Sequence, residues 1–114
     1  MKILVCGSRT YEDVARVCVT LAGFVEPEGE PPTIMTGAAR GADTIAAREA
    51  QGMGLPVELY PADWEKYGSA AGPIRNRLML DQQPDLVVAF GEGRGTEDTV
   101  REAARRGIPV RRKP

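Results

Sequence analysis

The chain has 114 residues, 15 lysines and arginines against 16 aspartates and glutamates, and no histidine. That length suits one domain with a real core, the net charge of −1 excludes a protein coated in nucleic acid, and the missing histidine excludes Ser-His-Asp and Cys-His catalysis and histidine-bearing metal motifs. No segment approaches the ~18 unbroken apolar residues of a membrane span, and MKILVCGSR breaks too soon for a signal peptide, so the chain reads as cytoplasmic.

Lys2 to Cys6, apolar through Ile3, Leu4 and Val5, predicts a strand covered on both faces that ends at Gly7-Ser8-Arg9. Thr10 with Asp13 resembles a capping box, and Val14, Val17, Cys18 and Leu21 mark one face of a helix running to about Gly23. Glu26 to Pro32 cannot be regular structure and makes a surface connection. Thr33 to Thr36 is a second short strand, broken by Gly37. Gly41 opens a helix along which Ile45, Ala46 and Glu49 run, ending between Gly52 and Gly54. Pro56 to Tyr60 is a third strand, alternating enough for an edge. Cys6 falls in the first strand and Cys18 in the first helix, with no second pair, which reads as buried thiols rather than a disulfide framework or zinc site.

Pro61 to Gly72 shows no clear period, is long for a loop in so small a domain, and holds Trp64 and Tyr67; such loops tend to be functional. Pro73 suits the first position of the next helix, with Ile74, Leu78 and Met79 facing inward until Gln83-Pro84. Leu86 to Phe90, continuously apolar, predicts the central strand. The glycine turn Gly91-Glu92-Gly93-Arg94-Gly95-Thr96 follows, with Thr96 placed to cap a helix that carries Val100, Ala103 and Ala104 and stops at Gly107. Ile108 to Val110 is a last strand before a basic tail, residues 111–114.

Five strand and helix alternations predict a single α/β domain over residues 1–114: a Rossmann-like three-layer fold, with a mostly parallel five-stranded sheet and helices on both faces. Ligands of such folds sit at the carboxyl ends of the strands where strand order reverses, here between the first and fourth, which sets Gly7-Ser8-Arg9 opposite Gly91 to Thr96. A glycine turn feeding a helix N-terminus suits an anion, most often phosphate. Arg9, Arg40 and Arg94 follow strand ends, and Arg75 and Arg77 sit at the start of a helix. Their planar forks either face that anion or pair at the surface with Asp43, Asp63, Glu92 or Asp98. Asp43 either complements the dipole of its own helix or accepts from a ribose hydroxyl or a base. Ser8 and Thr36 are turn formers or phosphate donors, and Trp64 and Tyr67 either cover the core or stack on a base. Nothing in the sequence requires a metal or cofactor, although Asp43 beside a phosphate could hold magnesium.

Gly7-Ser8-Arg9, Thr36 to Asp43 (TGAARGAD), Asp63 to Gly68 (DWEKYG), Ala71 to Arg77 (AGPIRNR) and Gly93 to Thr96 (GRGT) stand in the order of the YspA-like branch of the SLOG superfamily. The chain resembles that branch over nearly its whole length. Relatives include the LOG-type phosphoribohydrolases, which cleave the N-glycosidic bond of nucleoside monophosphates, and the DprA proteins, which bind single-stranded DNA. The resemblance implies a binding or sensor domain for a phosphorylated nucleotide or nucleotide derivative. Its ligand-binding residues would be Gly7, Ser8, Arg9, Gly37, Arg40, Gly41, Asp43, Trp64, Arg75, Asn76, Gly93, Arg94, Gly95 and Thr96. Few aromatics and no broad basic face make nucleic acid the weakest partner, no membrane is implied, and a homo-oligomer is compatible with the reading. The alternative is a nucleoside monophosphate N-glycosidase in which Asp98, Glu92 and Arg75 carry the chemistry. The LOG glycine motif reads PGGxGTxxE, and here Gly91 replaces its proline, Glu92 its first glycine and Thr99 its closing glutamate. Asp98 is one position away and points about 100° around the helix. Arg75-Asn76 stands where LOG enzymes have Arg-Lys, and Ala38 where the branch often has glycine.

Overall fold

The computed structural model describes residues 1–114. Five strands, β1 (Lys2–Gly7), β2 (Thr33–Thr36), β3 (Val57–Leu59), β4 (Leu86–Phe90) and β5 (Val110–Lys113), form one sheet in the order β3-β2-β1-β4-β5, every pairing parallel. The helices are α1 (Val14–Ala22), α2 (Ala42–Gly52), α3 (Trp64–Tyr67), α4 (Ala71–Asp81) and α5 (Arg94–Arg105). This is the expected Rossmann-like three-layer α/β fold, with a sheet that is wholly rather than mostly parallel.

Alternation along β1 divides the core in two. Ile3 and Val5 pack with Val17 and Leu21 of α1 and with Ala42, Ala46 and Ala50 of α2, while Leu4 and Cys6 pack on the other face with Met79 and Leu80 of α4 and Ala103 of α5. Burial on both faces is why β1 and β4 read as continuous apolar runs. Phe90, wholly buried at the carboxyl end of β4, anchors the first layer, and truncating it to alanine would cost about 3–5 kcal/mol. Strand order reverses between β1 and β4, as expected, with Gly7 in register with Phe90. A crevice opens above that pair.

Several local expectations shift. Asp13, not Thr10, caps α1, its Oδ1 accepting from the Arg16 N–H at 3.0 Å, while Thr10 turns back to bond Ser8. Pro61 to Gly72 is not a loop throughout: Asp63 caps α3 by accepting from the Lys66 N–H at 3.1 Å, a 3-10 turn follows, and α4 starts at Ala71. Pro73 therefore sits third in α4, where first-turn amides lack helical partners and a missing N–H costs nothing. Its inward face is Asn76, Met79 and Leu80, and Leu78 is exposed; a buried polar residue on the stripe masked the period. The N-cap of α5 is Gly93, with no side-chain cap, and Thr96 is buried in the first turn rather than capping. The inward face of α5 runs through Thr96, Thr99 and Ala103, leaving Ala104 exposed. The segment read as a basic tail is mostly strand: Arg111 to Lys113 belong to β5, an edge position where charge discourages further pairing.

Candidate functional site

Two close approaches build the floor of the crevice. A Cβ on Gly7 would stand 2.3 Å from the Phe90 carbonyl oxygen, and one on Gly41 would stand 2.2 Å from the Ser8 carbonyl oxygen. Only glycine lets α2 come down on the end of β1, where the Ala42 N–H donates to the Ser8 carbonyl at 3.1 Å. Gly41 thereby shapes the site without lining it.

Above that floor lies a cleft of about 710 Å³. The turn after β1 supplies Gly7, Ser8 and Arg9; α2 supplies Asp43; α4 supplies Arg75 and Asn76; the turn into α5 supplies Glu92 to Thr96; Asp98 lines it one turn further along. Trp64, from α3, closes the opposite wall. A second hollow of about 290 Å³ adjoins it and takes Gly37 and Arg40. Arg9, Ala39, Trp64 and Arg75 border both. Apart from Gly41, every ligand-binding and catalytic candidate of the family resemblance lines one hollow or the other, whereas Thr36, Tyr67 and Arg77, also weighed as contacts, line neither. Trp64 and Tyr67 lie 49% and 42% exposed, so neither covers the core; the Arg9 guanidinium carbon stands 5.8 Å from the centroid of the Trp64 ring.

Arg75 is the best-held cation of the group. Its Nη1 donates to the carbonyls of Gly37 and, at 3.3 Å, Tyr60; its Nε donates to Asn76 Oδ1 at 3.0 Å. The guanidinium lies so close to Gly37 that a Cβ there would be 2.2 Å from Nη1. Asn76 passes the connection on, its Nδ2 donating to Asp98 Oδ2 at 3.0 Å. The ends of β2 and β3 are thus tied through α4 to the first turns of α5. Burial holds Arg75 below the ordinary arginine range, opposed by the Asp43 charge and reinforced by the like charge of Arg9.

Asp43 is buried, and loss of solvation raises its carboxyl from 3.8 to about 6. The Ala39 N–H, donating to Oδ2 at 3.2 Å, and the Arg75 charge pull the other way. The Thr36 hydroxyl also favours the ionised form, although it is fully buried and makes no hydrogen bond of normal geometry. Ser8 is a turn former at least: its hydroxyl lies 2.9 Å from that of Thr10 and accepts from the Thr10 N–H. Cys6 also borders the cleft, but burial pushes its thiol up to about 12, so it is no nucleophile.

The arginines fall into two sets. Arg77 pairs with Asp98 and Glu102 at 3.6 and 3.9 Å, and Arg101 with Asp98 at 3.6 Å. Arg9, Arg40, Arg75 and Arg94 have no carboxylate within ion-pairing distance. The first backbone bond of α5 is from the Glu97 N–H to the Gly93 carbonyl at 2.9 Å, so the Arg94, Gly95 and Thr96 amides have no acceptor within their own helix. Chemically, unpaired guanidinium groups and bare amides facing one cleft favour an anion. Asp98 accepts from the Asn76 amide and lies 3.6 Å from both Arg77 and Arg101. Glu92, exposed at the mouth, has no ion pair.

Sequence reasoning did not single out Ala39, Pro61 or Ala62, which border the second hollow. Asp63, three residues before Lys66, was the available sign that this stretch is ordered.

An all-parallel sheet with an arginine-lined crevice at its switch point defines a Rossmann-like α/β domain. The chain belongs to the YspA, cpYpsA-related SLOG family, whose model matches residues 1–67, from β1 through α3. It is also similar to the Gene 61 protein of Mycobacterium phage D29, with 40% identity over 116 residues that cover 96% of this chain and 93% of the relative. No helix is long and apolar enough to cross a membrane.

Proposed function

We propose that the cleft binds a phosphorylated nucleotide or nucleotide derivative and that the chain acts as a binding or sensor domain for it. The observation that carries this reading is the lack of any carboxylate partner for Arg9, Arg75 and Arg94 around the uncapped start of α5. A phosphate would take the Gly93-to-Thr96 amides and Arg94, and the nucleoside would lie between Asp43 and the Trp64 ring. Membership of the SLOG family supports a nucleotide-related ligand.

Thermal unfolding with adenosine 5′-monophosphate, ADP-ribose and unphosphorylated adenosine tests it. The phosphorylated compounds should raise Tm, by an amount equivalent to about 2.7 kcal/mol at 100 times Kd, and adenosine should not. Arg94→Ala should remove most of the rise without lowering the unliganded Tm, because Arg94 is exposed and makes no ion pair. The absence of any rise with a panel of phosphorylated nucleotides at millimolar concentration would overturn the reading.

One observation favours a second reading, an N-glycosidase acting on nucleoside monophosphates. Asp43 is a buried cleft carboxyl raised to about 6, in the range suited to general acid or base work near neutral pH. Chromatographic release of free base, abolished in Asp43→Asn, would establish it; binding without release would leave the sensor reading alone.

A further inference from the structure

The second hollow has its own cations. Arg40 borders it alone, and Arg9 and Arg75 stand on the wall between it and the main cleft. None of the three has a carboxylate partner. Arg75 is locked in place by the carbonyls of Gly37 and Tyr60, yet its Nη2 makes no hydrogen bond. Arg9 rests on the Trp64 ring rather than on an acid. The floor, Gly37 to Ala39, includes Ala38 with φ of 59°, a conformation disfavoured for a residue with a Cβ. At the far end of the main cleft the charge is mixed: Glu92, with no ion pair, stands beside the Gly93 turn next to Arg94. A second charge added next to a phosphate at that turn would meet this carboxylate, whereas one at the Arg40 end would not.

Resting on the nucleotide reading above, we propose that the ligand carries two separated anionic groups. One sits at the Gly93-to-Thr96 turn and the other in the Arg9–Arg40 hollow, with the nucleoside spanning the Trp64–Arg75 divide. The substrate class is then a nucleotide phosphorylated at two distant positions, not a linear polyphosphate. Its second group takes Arg40 and the free edge of Arg75, and relieves the repulsion between Arg9 and Arg75.

Isothermal titration calorimetry tests this with the 5′-monophosphate, 5′-diphosphate and 3′,5′-bisphosphate of adenosine, guanosine and cytidine. For the preferred base, the bisphosphate should bind about tenfold or more tighter than the other two, the effect of one charge-assisted contact. Arg40→Ala should bring the ratio of bisphosphate to monophosphate affinity close to one, and Arg94→Ala should weaken both compounds. A monophosphate that binds as tightly as the bisphosphate would overturn the two-anion proposal while leaving the nucleotide reading intact. A diphosphate that equals or exceeds the bisphosphate would do the same, since total charge rather than its placement would then decide. Retention of the full ratio in Arg40→Ala would remove the second hollow from the account. Failure of every compound to bind would overturn both readings together.

Discussion

The two ends of α5 solve the same electrostatic problem in opposite ways. At the carboxyl end, Glu102 accepts from Arg105 Nε and Arg106 Nε, both at 3.1 Å, and Arg106 reaches Asp81 at 2.7 Å, so cations near the negative pole of the helix are each neutralised. At the amino end, Arg94 stands at the positive pole with no carboxylate within ion-pairing distance, the first-turn acid Glu97 being engaged by Arg112, and three amides there have no helical acceptor. That arrangement is unfavourable as it stands. A single helix closed at one end and open at the other teaches that the informative feature of this molecule is a missing partner rather than a present one.

The strongest way to break the contrast is to close the open end. A Cβ on Gly95 meets nothing within 4 Å, so Gly95→Asp can be built without displacing a neighbour. A carboxylate in the first turn should stabilise the unliganded protein by about 0.5–1 kcal/mol, measured by denaturant unfolding. It should weaken any phosphorylated ligand by about 100-fold, because like charges would then share the turn. A variant that binds as well as the parent would show that the amino end of α5 is not where the anion sits.

Next in size is Asp43, the buried acid of the open side. Its folded value, about 6, lies above its ordinary 3.8, so the stability it contributes is fully present below 3.8 and is lost as pH rises through 6. The difference corresponds to at most about 3 kcal/mol, reduced by whatever an amide loses beside Arg75. Asp43→Asn should therefore be more stable than the parent at pH 8, and the gap should close on acidification to pH 4. A gap that stays constant with pH would show that the carboxyl does not titrate between those limits.

The closed end should respond with the opposite slope. Hydrogen bonds from Arg105 and Arg106 pull Glu102 from 4.5 to about 2, so its contribution is present above 4.5 and fades as pH falls toward 2. Glu102→Gln should be less stable than the parent at neutral pH, with a modest penalty that shrinks below pH 4.5 and is gone only as pH falls through about 2. High salt should shrink that penalty as well, since these groups are near the surface.

Much of this was legible in the sequence because it rested on strong local signals. Two apolar runs, Ile3 to Cys6 and Leu86 to Phe90, marked the central strands, and alternation of strand and helix led to the switch point between them. Arg9, Arg40 and Arg94 were placed on the carboxyl edge by counting from strand ends and Arg75 by its position at a helix start, whereas Trp64 was left between covering the core and facing a ligand. What escaped were features decided by tertiary contact. Asn76 occupies an inward position because Arg75 and Asp98 satisfy its amide, and that hid the face of α4. Thr96 looks like a cap in sequence, yet packing buries it and leaves the glycine before the helix to start it. The pairing of Arg77 and the lack of pairing at Arg40 both depend on neighbours distant in the chain, so no spacing rule could separate the two.

The smallest effect lies at the second hollow and sharpens the contrast from the other side. Ala38 is exposed and holds φ at 59°, where its Cβ is disfavoured; glycine has no such penalty. If the loop exists only to join β2 to α2, Ala38→Gly should raise Tm by about 2–4 °C, since relief of about 1 kcal/mol outweighs the added freedom of the unfolded chain. Affinity for a doubly phosphorylated nucleotide should then stay the same or rise slightly, because the backbone already has the shape that glycine prefers. A fall in affinity alongside a rise in Tm would mean something different. It would show that alanine holds the Gly37–Ala39 floor stiff for a ligand, so that the strain belongs to the open side of the molecule in the same sense as the unpaired charges do.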